Sequence, residues 1–242
     1  MWNGRKFDFH GGCDLVLLQV PDFKDGQGLR IHIRTKIQRW WSFVESAVVK
    51  IGDDTLEVMG GLEDRRYFVN GKLGEKVSSS RPMPFTIGGY PVRYRGLNTH
   101  QFQFKIFLEN DQNIVLKAVK DFMRVDIENP TKETFGSSIG LMGSFEGDQM
   151  LARDGVTVLD DPNSFGLEWQ VKQTEPMLFH SEELPVEACV MPGVVEDTRR
   201  RLEGSISYEQ AKIACSSVSS NVVEECVNDV MATNDIEMAD AY

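Results

Sequence analysis

Strict alternation of apolar and polar side chains is the feature of the first 180 residues that most restricts their fold. Residues 29–35 and 102–108 each place apolar side chains at every second position, which is the period of a strand with one buried face. Further short strand-forming runs are separated by turn-forming pairs, among them Asn70-Gly71, which is typical of a two-residue hairpin turn. Many short strands without helical patterns between them predict a mainly β domain, an antiparallel β-sandwich.

Composition and periodicity both change near residue 181. All 14 Phe and all 4 Trp precede this position, whereas residues 181–242 hold 4 basic and 13 acidic side chains. Helical spacing of apolar residues follows, first over residues 211–218 and again over residues 223–231. The sequence therefore predicts a β domain at 1–172, a linker at 173–185 and a small helical, cysteine-bearing module at 186–242.

The helical tail offers one pair of cysteines for a disulfide. Ser207 and Gln210 predict a capping box at the start of its first helix. Cys215 near the end of that helix and Cys226 in the first turns of the next lie equally far from the turn between them. In an antiparallel helical hairpin such residues face each other, so we expect a Cys215–Cys226 disulfide. Two alternatives stay open: Cys189 pairs with one of them, or all thiols are reduced in a cytosolic protein.

The charge balance excludes some classes of partner. A net charge of −11 argues against nucleic acid, whose phosphates need a basic face. No apolar run approaches the roughly 18 residues of a membrane span. The N-terminal segment is not expected to be a signal peptide, because Asp8, His10 and Asp14 interrupt any apolar region.

Three segments resemble the anchors of a von Willebrand factor type D domain. Residues 2–17 resemble its opening, in which an Asp-Gly pair precedes aromatic-x-Phe, Gly-x-Cys and an apolar strand. Residues 140–148 are similar to the family's Cys-Gly-Leu-Cys-Gly-Asn-Phe-Asn-Gly segment, and residues 165–171 to its closing Phe-Gly-x-x-Trp-x-Val strand. The resemblance implies a non-enzymatic structural or adhesive module of a larger secreted or cell-surface protein. Its partners would be other extracellular proteins or matrix components.

The chain also departs from that family. Two cysteines of the family motif are replaced by Ile139 and Met142. The cysteine exchange chemistry that the family links to multimer assembly therefore cannot operate here. Cys13 loses the partner that the resemblance implies, so we expect it to be a free, buried strand thiol.

The resemblance further implies a calcium site in the loop formed by residues 143–155. Carried over residue by residue, its ligands are Asn3, Glu146, Asp148 and Asp154, with a backbone carbonyl near Met150. Calcium takes six to eight oxygen ligands, and carboxylates, amides and carbonyls all supply them. The alternative is an ordinary polar surface loop that carries several oxygen-bearing side chains.

Two other functions remain open from the sequence. Gly136-Ser137-Ser138-Ile139-Gly140 matches the G-x-S-x-G motif of serine hydrolases, with Ser138 as the nucleophile. That motif requires a sharp turn from a strand into a helix, which the residues after Ser138 do not favour. Trp40 and Trp41 would form an aromatic platform for carbohydrate if one of the two adjacent indoles faces outward.

Overall fold

The computed structural model separates into two units, Met1–Pro192 and Gly193–Tyr242. It describes all residues of the chain except 3, 5, 39–40, 62–65, 148, 182–187, 193–205 and 221. Within this described part, no helix is long and apolar enough to cross a membrane.

The first unit contains two antiparallel sheets, and the strands of each follow one another in sequence order. The six-stranded sheet comprises β1 (Asp14–Val20), β2 (Leu29–Gln38), β3 (Trp41–Ile51), β4 (Asp54–Met59), β5 (Tyr67–Val69) and β6 (Lys72–Leu73). The five-stranded sheet comprises β7 (Arg81–Ile87), β8 (Tyr90–Gly96), β9 (Gln101–Phe107), β10 (Asn113–Val119) and β11 (Phe122–Glu128). The predicted mainly β sandwich with a small helical tail is confirmed.

The alternation of apolar residues decides which face of each sheet is buried. Ile31 pairs with Val49, and Val49 pairs with Leu56 across the next strand. All three belong to the core between the sheets, where the ring of Tyr67 lies 4.9 Å from that of Phe104 on the facing sheet. A slip of one residue would turn every one of these side chains away from the core, so the pattern specifies the register.

The hairpin turn predicted at Asn70-Gly71 is confirmed. Both residues have positive φ, 49° and 76° respectively, as both central positions of a type I′ turn require. The side-chain oxygen of Asn70 also accepts a hydrogen bond of 2.7 Å from the backbone N–H of Thr55, which ties the turn to β4.

The described residues of the first unit also contain three short helices, α1 (Phe23–Gly26), α2 (Lys132–Phe135) and α3 (Pro162–Glu168). The backbone that follows α2 and α3 returns to the outer edge of the six-stranded sheet. Isolated β-bridges there join Ile139 to Gln19, Gln170 to Leu15 and Val190 to Gly12. Two separate segments therefore cover the edge of β1, which would otherwise present unpaired backbone groups, and a third pairs with the residue two positions before it.

Cys13 forms a disulfide with Cys189, and their Cα atoms lie 4.9 Å apart. The prediction that Cys13 is a free thiol is therefore wrong. The bridge between Val190 and Gly12 carries Cys189 to the start of β1, a long-range contact that the family motif does not contain.

The first unit extends to Pro192, beyond the predicted domain end at residue 172. Leu178 and Phe179 are 4% and 6% exposed, and they form a cluster with Val48 on β3. This part of the predicted linker thus covers the sheet, because these two apolar side chains bury against it. Residues 182–185 lie outside the described part.

The second unit is helical where it is described. It contains α4 (Tyr208–Ala214), a 3₁₀ helix (Cys215–Ser217), α5 (Val223–Thr233) and a second 3₁₀ helix (Ile236–Ala241). Both hydrogen bonds of the capping box between Ser207 and Gln210 are present, as the sequence predicts. Cys215 and Cys226 form a disulfide with Cα atoms 5.9 Å apart, the pairing that the hairpin argument predicts.

Removal of the long-range disulfide should destabilise the first unit strongly. The Cys13→Ala/Cys189→Ala variant should lose about 5 kcal/mol of the free energy of unfolding, because the entropic effect of a cross-link grows with loop length. Its cysteines lie 176 residues apart. Urea unfolding followed by tryptophan fluorescence measures this unit alone, since all 4 Trp precede residue 181.

The matched control is the Cys215→Ala/Cys226→Ala variant. It removes a bridge with a sequence separation of 11 from the second unit, and it should leave the fluorescence midpoint unchanged. Equal losses in both variants would contradict the assignment of the large effect to the Cys13–Cys189 bridge.

Candidate functional site

The glycine segment of the candidate calcium loop lies against β1. The backbone N–H groups of Leu141 and Met142 donate to the carbonyl oxygens of Val16 and Leu17, each at 3.1 Å. Gly140 has a φ of +125°, and a Cβ at this position would lie 2.6 Å from the carbonyl oxygen of Leu17. Only glycine fits so close an approach of two backbones.

The opening segment of the chain contacts the same loop. The backbone N–H of Trp2 donates to the carbonyl of Met142 at 3.1 Å. Its indole ring lies 5.3 Å from the ring of Phe135 and 5.1 Å from that of Phe145. Asn3, the candidate ligand that follows Trp2, lies outside the described residues.

The two candidate carboxylates that the structure describes have separate partners. Glu146 accepts a hydrogen bond of 2.8 Å from the ammonium group of Lys132 in an exposed ion pair. Asp154 accepts hydrogen bonds from the hydroxyl and backbone N–H of Thr157 and from the backbone N–H of Val156. These bonds, that of the Thr157 hydroxyl foremost, lower the pKa of the Asp154 carboxyl below its ordinary value.

The remaining two candidate ligands differ in kind. Met150 is buried, and its carbonyl oxygen accepts a hydrogen bond of 2.7 Å from the backbone N–H of Leu159. Asp148 lies outside the described residues. Among the residues that are described, no group of three or more His, Cys, Asp or Glu side chains is arranged to hold a metal ion.

Ser138, the candidate nucleophile, is 2% exposed, and its hydroxyl oxygen accepts a hydrogen bond of 3.0 Å from the indole N–H of Trp2. A nucleophile elbow exposes its serine at a turn from a strand into a helix. Here α2 precedes the serine, and the bridge between Ile139 and Gln19 follows it. This geometry gives Ser138 a packing contact and does not favour the hydrolase hypothesis.

Trp41 does not form an exposed aromatic platform. Its side chain is 6% exposed and stacks on Phe122 of β11, with ring centroids 5.8 Å apart and planes 11° apart. Phe43 completes the cluster at 4.6 Å from Phe122. These rings join the two sheets, while Trp40 lies outside the described residues.

A layer of buried charged and titratable side chains, which no motif in the sequence predicts, lies on the outer face of the six-stranded sheet. The side chains that form it are Asp14, His32, Arg34 and Glu57, none more than 6% exposed. Residues 178–181, here named the cover segment, contact three strands of this face. The available signal was the apolar pair Leu178-Phe179 inside the predicted linker, since such a pair needs a surface to bury against.

Arg34 connects the layer to the cover segment. Its guanidinium donates two hydrogen bonds to the carboxylate of Asp14, at 2.7 and 2.9 Å, and a third of 3.0 Å to the hydroxyl of Ser181. The guanidinium also lies 4.4 Å from the ring centre of Phe179. A planar, bidentate pair with both charges compensated is the arrangement in which burial of an arginine is tolerated.

Glu57 fastens the cover segment at a second point. This side chain is fully buried, and one of its carboxylate oxygens accepts a hydrogen bond of 2.7 Å from the backbone N–H of His180. The other oxygen, Oε1, has no hydrogen-bond partner among the described residues. An unpaired buried acceptor costs free energy, so this position lowers the stability of the covered state.

His32 is the third buried group of the layer and is 3% exposed. Burial lowers its pKa from 6.5 to about 4. The negative charge of Glu175 opposes this shift, whereas the positive charges of Arg30 and Arg153 add to it. The imidazole is therefore neutral at neutral pH, and its protonation is unfavourable while the sheet face is covered.

The lowered pKa of His32 predicts that the first unit loses stability in acid. The histidine titrates near 6.5 in the unfolded chain and near 4 in the folded one, so the unfolded state binds the proton first. The free energy of unfolding should fall between these pH values by about 3 kcal/mol in total. Urea unfolding of His32→Gln, followed by tryptophan fluorescence, should depend less steeply on pH.

The exposed His100 provides the control, because His100→Gln should keep the pH dependence of the unchanged protein. A His32→Gln variant with the same slope as the unchanged protein between pH 6.5 and 4 would show that another group causes the acid sensitivity.

Comparisons with known proteins identify no relative of this chain from which the role of these residues could be inferred. No protein-family model matches the chain, and no curated protein is similar enough to count as a match.

Proposed function

We propose that the chain is a non-enzymatic extracellular module with a structural or adhesive role in a larger secreted or cell-surface protein. The observation that carries this proposal is the pair of disulfides, Cys13–Cys189 and Cys215–Cys226. Disulfides persist in oxidising compartments and are rare in the cytosol. All four cysteines of the chain are used, as expected of a protein that matures outside the cytosol.

The resemblance to a von Willebrand factor type D domain is part of the same proposal. This part of the proposal is supported by the arrangement of the three segments that carry the resemblance, because they contact one another around β1. The carbonyl of Met142 in the glycine segment accepts from Trp2, and the carbonyl of Trp169 in the closing segment accepts from Val16. The ring of Phe7 in the opening segment lies 5.0 Å from that of Phe165.

Partners of this module would be other extracellular proteins or matrix components. Ser138 is buried against Trp2, which is consistent with a non-enzymatic role. Labelling of Ser138 by a fluorophosphonate probe in the folded protein would contradict that role, since such probes require an activated, accessible serine.

The thiol state of the protein in its native cells tests the extracellular proposal. The protein is quenched by acid precipitation and then redissolved in denaturant with an alkylating reagent near neutral pH, so that this quenching step blocks every free thiol. Its peptides are then mapped without reductant. We expect no alkylated cysteine, one peptide pair joining Cys13 to Cys189 and one joining Cys215 to Cys226. Alkylation of all four cysteines at the quenching step would overturn the proposal.

A calcium ion in the loop of residues 143–155 is a further part of the proposal. Its protein ligands would be Asn3, Glu146, Asp148, Asp154 and the backbone carbonyl of Met150. Each of them supplies an oxygen atom, the kind of ligand that calcium prefers, and bound water would fill the remaining positions. Glu146 would exchange its exposed ion pair with Lys132 for the metal. Exposed ion pairs of this kind contribute little to stability, so the loss of this pair would cost little free energy.

Calcium should raise the melting temperature of the chain, because a ligand that binds only the folded state stabilises it. The gain would be about 2.7 kcal/mol at a free concentration of 100 times the dissociation constant. Asp148→Ala should abolish the shift, whereas Asp160→Ala, an exposed carboxylate outside the loop, should keep it. Identical melting curves with and without roughly millimolar calcium would rule out the site.

A further inference from the structure

The outer face of the five-stranded sheet is basic, although the chain carries a net charge of −11. One row across four neighbouring strands consists of Arg95, Gln103, Lys117 and Arg124. The next row consists of Arg93, Lys105, Val115 and Asp126. Glu128, on the same face of β11, is opposite Asn113. These side chains are here named the basic face, and it carries five cations and two anions.

Acidic neighbours compensate only part of this positive charge. Lys105 pairs with Glu128 at 2.6 Å, and Arg124 pairs with Asp126 at 2.8 Å. Arg93 and Arg95 are exposed, and the side chain of neither forms an ion pair or hydrogen bond with any residue that the structure describes. Both guanidinium groups are therefore available to an external anion.

The spacing of the basic face suits an extended anionic chain. Neighbouring strands lie about 4.8 Å apart, and alternate residues along one strand about 6.7 Å apart. The cations of the two rows thus recur at regular intervals across β8 to β11. At physiological ionic strength charges interact over only about 8 Å, so an approaching anion is governed by this face and not by the net charge of the chain.

The same face lacks the anchors of a protein–protein interface. Val115 at its centre is 4% exposed, and Phe107, which lies on the same face opposite Asn113, is only partly exposed and has the ammonium of Lys105 5.4 Å from its ring centre. None of the strongly exposed large hydrophobic side chains of the described chain lies on β8–β11. Tight protein interfaces rely on buried aromatic or aliphatic anchors at their centre. A polyanion needs none, because paired charges and released counterions supply its binding free energy.

We propose that the basic face binds a sulfated polysaccharide. This inference rests on the proposed extracellular function, since such polymers are the polyanions met outside cells. Sulfate offers the same tetrahedral set of oxygens as phosphate, which the planar fork of arginine binds through two parallel hydrogen bonds. Arg93 and Arg95 supply two such forks at alternate positions of one strand.

Binding of heparin to the intact, oxidised chain tests this proposal by calorimetry at about 0.15 M salt. The Arg93→Gln/Arg95→Gln variant should bind heparin about tenfold more weakly or worse, because each lost contact weakens the electrostatic attraction. The slope of log Kd against log salt should fall by about two, one for each lost cation. Both arginine side chains are exposed and have no polar partner in the described part of the chain, so the melting temperature should not change.

The matched control is Lys72→Gln/Lys76→Gln, which removes the same charge from exposed positions elsewhere on the first unit. This variant should bind heparin as the unchanged protein does. An equal loss in both variants, or no heparin binding by the unchanged protein, would overturn the proposal. Equally tight binding of duplex DNA or polyglutamate would overturn the assignment to sulfated polysaccharide.

Failure here is distinguishable from failure of the proposed function. The calorimetry uses purified protein with both disulfides formed, whereas the extracellular proposal is tested by the thiol state in native cells. Oxidised cysteines in cells without heparin binding would overturn only the basic-face proposal. Reduced cysteines in cells would overturn the extracellular proposal even if purified protein binds heparin.

Discussion

The unpaired edge of β1 is the constraint on which the rest of the first unit depends. A strand at the edge of a sheet offers a row of free backbone groups, and native proteins cover or disrupt such edges. Here Ile139 and Gln170 form bridges with this edge, and Val190 forms a bridge with Gly12 just before it. These bridges hold the glycine segment, the closing segment and Cys189 on one side of the sandwich. The same set of backbone hydrogen bonds therefore positions both the candidate calcium loop and the disulfide.

Local patterns predicted much of the fold because their physical causes act over a few residues. Alternation specified the strands, the Asn70-Gly71 pair specified one hairpin, and Cys215 and Cys226 lie only 11 residues apart. The Cys13–Cys189 bridge could not be predicted from local patterns, because its two cysteines lie 176 residues apart. Nothing local to either cysteine indicates that a returning strand will bring them together.

The candidate site was predictable only in part, for a related reason. Alternation assigns His32 and Arg34 to one face of β2, but it does not say whether solvent or protein covers that face. Residues 178–181 cover it, so groups that would be solvated become a low-dielectric layer in which pairing decides the free energy. The charge of Arg34 is paired with Asp14, whereas one oxygen of Glu57 is unpaired among the described residues.

The Cys13–Cys189 bridge also determines how the chain transmits mechanical tension. Force applied at the two ends of the first unit passes through the covalent sulfur–sulfur bond and bypasses the residues between the cysteines. With a sequence separation of 176, the enclosed chain would extend by roughly 600 Å if it could be pulled straight. The disulfide prevents this segment from extending. The sandwich therefore stays folded under pulling forces that would separate the strands of an unbridged sheet one by one.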